Sequence, residues 1–138
     1  MSENNCVFCK IISGESSSTT VYEDDNFKAI FDISPASKGH TLVLAKKHVE
    51  NIFEMDEAIA ANGLSVISKI ATAIKEALSC DGINIIQNNG EAAGQTVNHL
   101  HFHIIPRYNN DGVISTWKNN FYENGEAEKF AELIKSKL

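Results

Sequence analysis

The strongest constraint on the fold of this chain is the stretch 98–107, in which histidine occupies every second position from 99 to 103. In a β-strand, alternate side chains point to the same face and lie roughly 7 Å apart. His99, His101 and His103 would therefore share one face, and the residues between them would point into a core: Leu100, Phe102 and Ile104. Two histidines with this spacing occur in ordinary half-buried strands, but three in succession favour a functional surface.

The composition limits the partners that such a surface could serve. The chain has 138 residues, of which 43% are hydrophobic, and a formal net charge of −6; these values are typical of one soluble globular domain. The net charge argues against a nucleic-acid polymer as the main partner, because phosphate binding along a polymer favours a basic surface. A mononucleotide is still compatible with this charge, since it can bind in a local pocket.

The same sequence gives an expectation about the compartment. The first residues lack the basic and apolar regions of a signal peptide, and no apolar run is long enough to span a membrane. Three cysteines, an odd number, favour a reducing compartment. We therefore expect a cytoplasmic protein with no membrane partner.

Hydrophobic periodicity predicts the elements of the first third of the chain. A short helix is predicted over residues 6–12, with Gly14 just beyond its end. Strands are predicted over 21–23, 27–33 and 40–45, and an Asp-Asp-Asn turn joins the first two as a hairpin.

The remaining elements follow from the same periodicities. Asp56 is suited to cap a long helix, whose apolar residues are expected to pack in the core: Ile59, Leu64, Ile67, Ile70, Ile74 and Leu78. Strands are predicted over 83–88 and 98–105, the second ending at Pro106, which has no N–H for a ladder bond. A last amphipathic helix is indicated by Ala127, Phe130, Ala131 and Ile134.

These elements predict an α+β domain with an antiparallel sheet, because the strands follow one another locally and the helices are inserted between them. A long helix on one face would leave the histidine-bearing face partly open. No repeat or linker divides the sequence, so residues 1–138 are expected to form a single domain.

The segment between the last two strands is suited to bind phosphate. Gly90 and Gly94 allow the backbone to approach a ligand, and Thr96 adds a hydroxyl to the exposed N–H groups. Neutral imidazoles beside such a loop can act as nucleophiles, and protonated imidazoles can stabilise developing negative charge.

Cys6 and Cys9 form a C-x-x-C motif that could be a redox pair, half of a metal site or two buried thiols. The redox motif belongs in a thioredoxin-like βαβ context, which this chain lacks. A zinc site needs two more ligands, for which histidines are better candidates than Cys80, the one other cysteine. Alternatively, the three histidines of the last strand could themselves bind a catalytic metal. Such a site would need a carboxylate as a further ligand, and the sequence spacing does not indicate which one.

The sequence resembles the histidine triad (HIT) superfamily, whose signature is His-x-His-x-His followed by two apolar residues, matched here at 99–105. Further motifs occur in the family's order between residues 6 and 108: C-V-F-C-K-I-I at 6–12, Phe31-Asp32-Ile33, G-H-T-L-V at 39–43, Lys46-Lys47-His48 and Gly94-Gln95-Thr96. Residues 109–138 form a variable C-terminal region outside this agreement.

The resemblance implies a HIT-like fold, in which a five-stranded antiparallel sheet carries one long helix and a C-terminal helix. It also implies a homodimer whose two sheets join into one, with the long helices at the interface. In that homodimer Trp117 and Phe121 could cover the site or pack between the subunits, and packing is favoured.

Catalytic and metal-binding roles are implied at matching positions. His101 would be the nucleophile that attacks the α-phosphorus of a nucleotide, and His103 and His40 would complete the catalytic cluster. One structural zinc ion per chain would be bound by four residues: Cys6, Cys9, His48 and His99. No catalytic cofactor is expected.

Substrate-binding roles are implied in the same way. Asn88, Gln95 and Thr96 would hold the phosphate, and Asp32 would accept hydrogen bonds from the ribose hydroxyls. The walls of the base pocket would be Phe8, Phe31 and Ile33.

The function implied by the resemblance is a nucleotidyl hydrolase acting on a purine nucleotide, either a phosphoramidate or a dinucleoside polyphosphate. A nucleotidyl-histidine would form and be hydrolysed to a nucleoside monophosphate. Two alternatives are a nucleotidyl transferase or phosphorylase, in which another acceptor replaces water, and a nucleotide-binding interaction protein with incidental catalysis.

Overall fold

The computed structural model describes residues 5–115 and 117–138. In these residues the elements follow in the order α1 (Val7–Ser13), β1 (Thr20–Glu23), β2 (Phe27–Phe31), β3 (Thr41–Ala45), α2 (Glu57–Leu78), β4 (Gly82–Ile86), β5 (His101–Arg107) and α3 (Glu126–Lys135). The strands form one antiparallel sheet with the order β1-β2-β3-β5-β4. This architecture confirms the predicted α+β fold with a five-stranded antiparallel sheet.

Short polar residues and one glycine set the boundaries of the elements. Asp24 closes the β1–β2 turn, because its carboxylate accepts hydrogen bonds from the N–H groups of Asn26 and Phe27, both at 2.7 Å. Asp56 caps α2 as predicted. Gly14 ends α1 with φ +86°, a left-handed conformation that glycine adopts without steric cost.

The sheet carries a different apolar layer on each face. On one face α2 packs against the sheet and forms the main core, which includes Phe27, Ala29, Val43, Leu100 and Ile104. On the other face α1 packs Cys6 and Phe8 against a smaller layer: Ile30, Leu42 and Leu44. The strand register places His101 and His103 in the same rows as this smaller layer. We call the surface formed by Ile30, Leu42, Leu44, His101 and His103 the histidine face.

The last strand begins later than predicted, at His101. Residues 97–99 form a bend, in which the His99 N–H donates to the Val97 carbonyl at 2.9 Å. The Leu100 N–H donates to the Val49 carbonyl at 2.8 Å, which also lies outside the strands. His99 therefore precedes the ladder and is not equivalent to the two histidines that follow it.

This strand also continues beyond its predicted end, through Pro106 to Arg107. The pairing of β3 with β5 ends at Thr41 and Ile104, so that β4 alone flanks β5 at Pro106. The missing proline N–H therefore costs no bond to β3, and the Pro106 carbonyl accepts a hydrogen bond from Ser37 Oγ at 2.7 Å.

Most of the predicted apolar stripe of α2 is buried, at Ile59, Ile67, Ile70 and Ile74. The predicted core position is wrong for Leu64, which is 75% exposed, and Leu78 is also partly exposed. Leu64 directly follows the buried Gly63 and so lies about 100° round the helix from it. The described residues that pack on α2 do not reach that far round the helix.

The predicted C-terminal helix is present as α3. No residue of α3 is buried, and its larger apolar side chains are exposed in the single chain: Phe130, Leu133 and Ile134. None of the described helices combines the length and the apolar content that a membrane span requires.

Candidate active site and metal cluster

His101 is held by the backbone in a single tautomer. Its Nδ1 lies 2.6 Å from the carbonyl oxygen of His99. A carbonyl can only accept, so Nδ1 carries the proton and Nε2 of the neutral ring carries the lone pair. The residue is 7% exposed. The arrangement presents one unprotonated imidazole nitrogen that can act as a nucleophile.

A chain of hydrogen bonds fixes the other two histidines of the site. The Ala36 N–H donates to His40 Nδ1 at 3.0 Å, so the proton of the neutral His40 ring is on Nε2. This Nε2 lies 2.9 Å from His103 Nδ1 and donates to it. The proton of neutral His103 is therefore on its Nε2. His103 can thus donate a hydrogen bond to a bound ligand.

Burial keeps these rings neutral at physiological pH. Desolvation lowers the pKa of His101 and of His40, and the Asp32 carboxylate offsets part of the effect at both rings. Burial and the neighbouring rings of His101 and His40 lower the pKa of His103 to about 4. The Nε2 lone pair of His101 is consequently available without prior deprotonation.

Cys6, Cys9, His48 and His99 form a second cluster, in which the ligand atoms all lie within 4.8 Å of one another. The His99 Nδ1 atom is 3.3 Å from Cys6 Sγ and 3.5 Å from Cys9 Sγ. The His48 Nδ1 atom is 3.3 Å from Cys9 Sγ and 3.1 Å from His99 Nδ1. Zinc bonds of about 2.3 Å to sulfur and about 2.0–2.1 Å to nitrogen give tetrahedral edges of about 3.3–3.8 Å. The donor set is one that holds zinc, and these four distances lie within about 0.2 Å of that range, so the cluster is compatible with a tetrahedral zinc ion.

His99 connects this cluster to the active site. Its Nε2 lies 2.6 Å from the Ala45 carbonyl oxygen and donates to it, which leaves the lone pair on Nδ1, the atom that faces the cysteines. The carbonyl of the same residue accepts the hydrogen bond from His101. The side chain of His99 thus belongs to the metal cluster and its backbone orients the candidate nucleophile.

Phe8 lies between the two clusters. Its ring meets the ring of His101 edge-on, with centroids 4.9 Å apart, and that of His99 with centroids 5.9 Å apart. Phe8 is 7% exposed. The ring therefore contacts both histidines as well as the apolar layer under α1.

Gln95, predicted to hold phosphate, is built into the loop before β5. Its Oε1 accepts a hydrogen bond from the Gly90 N–H at 2.8 Å. Its Nε2 donates to the carbonyls of Glu50 at 2.8 Å and Val97 at 3.1 Å. The side chain therefore stabilises the conformation of the loop, and a direct contact with phosphate stays a prediction.

The other predicted phosphate and ribose ligands are accessible. Asn88 approaches the Gly94 carbonyl at 3.5 Å, and Thr96 is exposed. One oxygen of Asp32 accepts a hydrogen bond from the Ser34 N–H at 2.8 Å, and the other lies 3.6 Å from His40 Nε2. Asp32 is therefore part of the histidine cluster, with acceptor capacity left for a ligand.

The structure does not bring Phe31 to the histidines. Successive strand residues point to opposite faces, so Ile30 lies on the histidine face and Phe31 lies on the α2 side. There Phe31 lines a groove of about 480 Å³, which we call the α2 groove: Val21, Tyr22, Phe31, Lys38, Gly39, Lys69, Ile70, Ala73, Ile74, Ala77 and Leu78. Ile33, in the loop after β2, is 97% exposed.

The three histidines of the signature do not form one metal site, because His99 Nδ1 faces the cysteines. Asp32, His40 and His103 also form a compact group, but Nδ1 and Nε2 of His40 and Nδ1 of His103 are already hydrogen-bonded.

The backbone groups that fix the tautomers were missed by sequence reasoning: the Ala36 N–H and the carbonyls of His99 and Ala45. These groups occur in every residue type and so have no sequence signal.

A model of the HIT domain family matches residues 13–110, and the chain belongs to this family. Protein hit of Bacillus subtilis is 48% identical over 117 residues, which cover 84% of this chain and 81% of the relative. Adenosine 5'-monophosphoramidase hnt1 of Schizosaccharomyces pombe is 36% identical over 135 residues, which cover 97% of this chain and 98% of the relative. The family's relatives thus include a hydrolase.

Solved structures give the same result for the fold. A member of the HIT family from Bacillus subtilis aligns with a TM-score of 0.92 and 40% identity over 97% of both chains. A zinc-bound histidine triad family protein from Mycobacterium smegmatis aligns with a TM-score of 0.77 and 37% identity, covering 98% of this chain and 99% of that one.

Proposed function

We propose that the protein is a nucleotidyl hydrolase that cleaves at the α-phosphate of a purine nucleotide through a nucleotidyl-histidine at His101. The observation that carries the proposal is the bond from His101 Nδ1 to the His99 carbonyl. This bond leaves the Nε2 lone pair free in a ring whose pKa is lowered by burial. The phosphoramidase relative supports the same class of substrate.

The reaction would proceed in two displacements. His101 Nε2 attacks the α-phosphorus, a P–N bond forms, and the bond to the leaving group breaks with its electron pair. Water then attacks phosphorus and releases a nucleoside monophosphate and the neutral ring. The Nε2–H of His103 would donate to a phosphoryl oxygen, where negative charge develops. The covalent intermediate thereby divides one reaction with a high activation barrier into two steps with lower barriers.

The remaining residues would position the nucleotide. Thr96, Asn88 and the N–H groups of the loop shaped by Gln95 would hold the phosphate. Asp32 would accept hydrogen bonds from the ribose hydroxyls. The base would lie against Ile30 and Ile33, together with Phe8.

We also propose that Cys6, Cys9, His48 and His99 bind one zinc ion per chain. With four protein ligands the ion would be closed to substrate and would stabilise the fold around α1. Thiolate ligands fit the reducing cytoplasm expected from the sequence. We propose, finally, that the protein forms a homodimer.

The decisive experiment is the substitution His101→Asn. The side-chain amide that it introduces can still donate to the His99 carbonyl, so the substitution removes the nucleophilic nitrogen and keeps the local hydrogen bond. We expect kcat/KM for adenosine 5'-phosphoramidate and for diadenosine tetraphosphate to fall by at least about 1,000-fold, as for other covalent catalysts. AMP binding, measured by calorimetry, should persist. Undiminished turnover would exclude His101 as the nucleophile.

Product analysis separates the alternatives. A phosphorylase would yield a nucleoside diphosphate when inorganic phosphate is added, whereas the hydrolase yields the monophosphate with and without phosphate. A binding protein would retain AMP and turn over neither substrate. Comparing kcat/KM for the two substrates would identify the preferred leaving group.

A further inference from the structure

The α2 groove lies on the face of the sheet opposite the histidines, between α2 and the β1–β2 hairpin. Its volume of about 480 Å³ is within the range of small-molecule sites, about 300–1,000 Å³. Val21, Phe31 and Leu78 line it and are each more than two-fifths exposed. The groove is therefore an apolar concavity that the described part of the chain leaves uncovered.

The charges at this groove have one sign. Its charged lining residues are Lys38 and Lys69, and no carboxylate lines it. Neither lysine makes an ion pair with a described residue. The Lys69 ammonium lies 5.2 Å from the centre of the Tyr22 ring, which places the charge beside the apolar wall. In a chain of net charge −6, such a groove is complementary to an apolar molecule with an anionic end.

The geometry also limits the length of the ligand. Lys69 lies at one end of the groove and Leu78 at the other, and nine residues of helix span about 13 Å. At the Leu78 end the backbone of Gly39 packs directly against the Leu78 side chain, since a Cβ on Gly39 would lie 2.5 Å from Leu78 Cδ1. This contact marks the end of the groove. An extended alkyl chain has bonds of about 1.5 Å and, because it zigzags, advances about 1.3 Å per bond, so that about ten carbons reach about 11 Å and fit within this length.

We propose that the α2 groove binds a medium-chain alkyl carboxylate, with the carboxylate at Lys69 and the alkyl chain extending towards Leu78. Ala73 and Ala77 line the groove between these ends, and their small side chains leave room for the ligand. The Lys38 ammonium can stay in solvent while its methylene stem covers the end of the chain.

A second copy of this chain is a poorer occupant. The exposed apolar residue Leu64 is nine residues from Ala73, which corresponds to 900°, or opposite sides of the helix at about 100° per residue. Ala77 is likewise about 140° round the helix from Leu64, so packing of the Leu64 flank in a homodimer would leave the alanine side of the groove uncovered.

The test is a titration of the intact, metal-containing protein with decanoate, followed by calorimetry and by methyl NMR of the alanines. We expect saturable binding with the largest shifts at Ala73 and Ala77. Lys69→Glu should weaken binding by at least about fivefold, because it removes an exposed ion pair, worth up to about fivefold, and adds a like-charge repulsion. The matched control is Lys75→Glu, which makes the same charge change on α2 away from the groove and should leave affinity within about twofold.

Two further ligands make the assignment specific. The uncharged 1-decanol should bind more weakly than decanoate, since it cannot pair with Lys69, and hexanoate should bind more weakly because it buries less alkyl surface. An absence of saturable decanoate binding at millimolar concentration would overturn the proposal. Equal losses in Lys69→Glu and Lys75→Glu, or shifts centred on α3 or the histidine face, would also overturn it.

Discussion

The imidazoles of His101 and His103 have opposite roles although they are the same residue type two positions apart. The His101 Nδ1 atom lies against a carbonyl, so its Nε2 lone pair would be available to attack phosphorus in the proposed reaction. His103 Nδ1 meets the N–H of His40, so its Nε2 is a hydrogen-bond donor. A nucleophile and an electrostatic stabiliser can therefore stand side by side without either ring being charged.

The protonation state of His103 is directly measurable. Because burial and two neighbouring rings lower its pKa from 6.5 to about 4, the ring should be neutral at pH 6, where an unperturbed histidine is about three-quarters protonated. Imidazole ¹⁵N shifts should report a protonated Nε2 and an unprotonated Nδ1. Half-protonation near pH 6.5 would contradict the hydrogen-bond assignment.

The same pKa has a consequence for stability. In the unfolded chain His103 takes up a proton near pH 6.5, whereas the folded chain does so near pH 4. The unfolded state therefore binds more protons between these values, and the free energy of unfolding should fall as the pH drops from 6.5 towards 4. His103→Gln, which also allows the NMR assignment, should show a smaller loss in the same interval.

At the scale of elements, α1 joins the two clusters. It has seven residues, too few for a stable isolated helix, and Cys6 Sγ caps it by accepting from the Cys9 N–H at 3.4 Å. A metal on Cys6 and Cys9 would therefore fix both the start and the first turn of α1. The position of Phe8 against His101 would depend on that anchor.

Metal analysis tests this anchor. We expect about one zinc ion per chain in protein purified without added metal or chelator, no zinc in Cys6→Ser, and a lower Tm for that variant. Cys80→Ser is the control, because Cys80 is buried outside the cluster and its replacement should leave the zinc content unchanged. Wild-type protein that is metal-free and equally stable would contradict the zinc assignment.

How much the sequence predicts depends on the kind of interaction. The alternation at 99–103 is a local pattern that predicted a strand with His101 and His103 on one face, but not the different position of His99. The cap at Asp56 is also local and was predicted. The bend at His99 and the extension of β5 through Pro106 depend on how β5 pairs with its neighbouring strands. A local sequence pattern does not contain that information. Phe31, which the resemblance implied as a wall of the base pocket, lies on the α2 side of the sheet, because neighbours in a sequence motif point to opposite faces of a strand.

At the scale of the molecule, the single chain leaves several apolar surfaces without cover. Leu64 on α2 and Ile85 on the edge strand β4 are exposed, and so is the apolar side of α3. An edge strand with exposed apolar residues readily pairs with a second strand. These surfaces are consistent with the proposed homodimer, in which β4 edges join the sheets and the α2 helices pack together.

The substitution Leu64→Glu tests this assembly. A carboxylate in an apolar interface is costly to desolvate, so the variant should be monomeric by light scattering at concentrations where the wild type has twice the 15.2 kDa mass of one chain. Ser65→Glu is the matched control: it adds the same charge to the next exposed position of α2, about 100° round the helix, and should remain dimeric. A monomeric wild type would exclude the homodimer, and a Leu64→Glu dimer as stable as the wild type would place the interface away from this flank of α2.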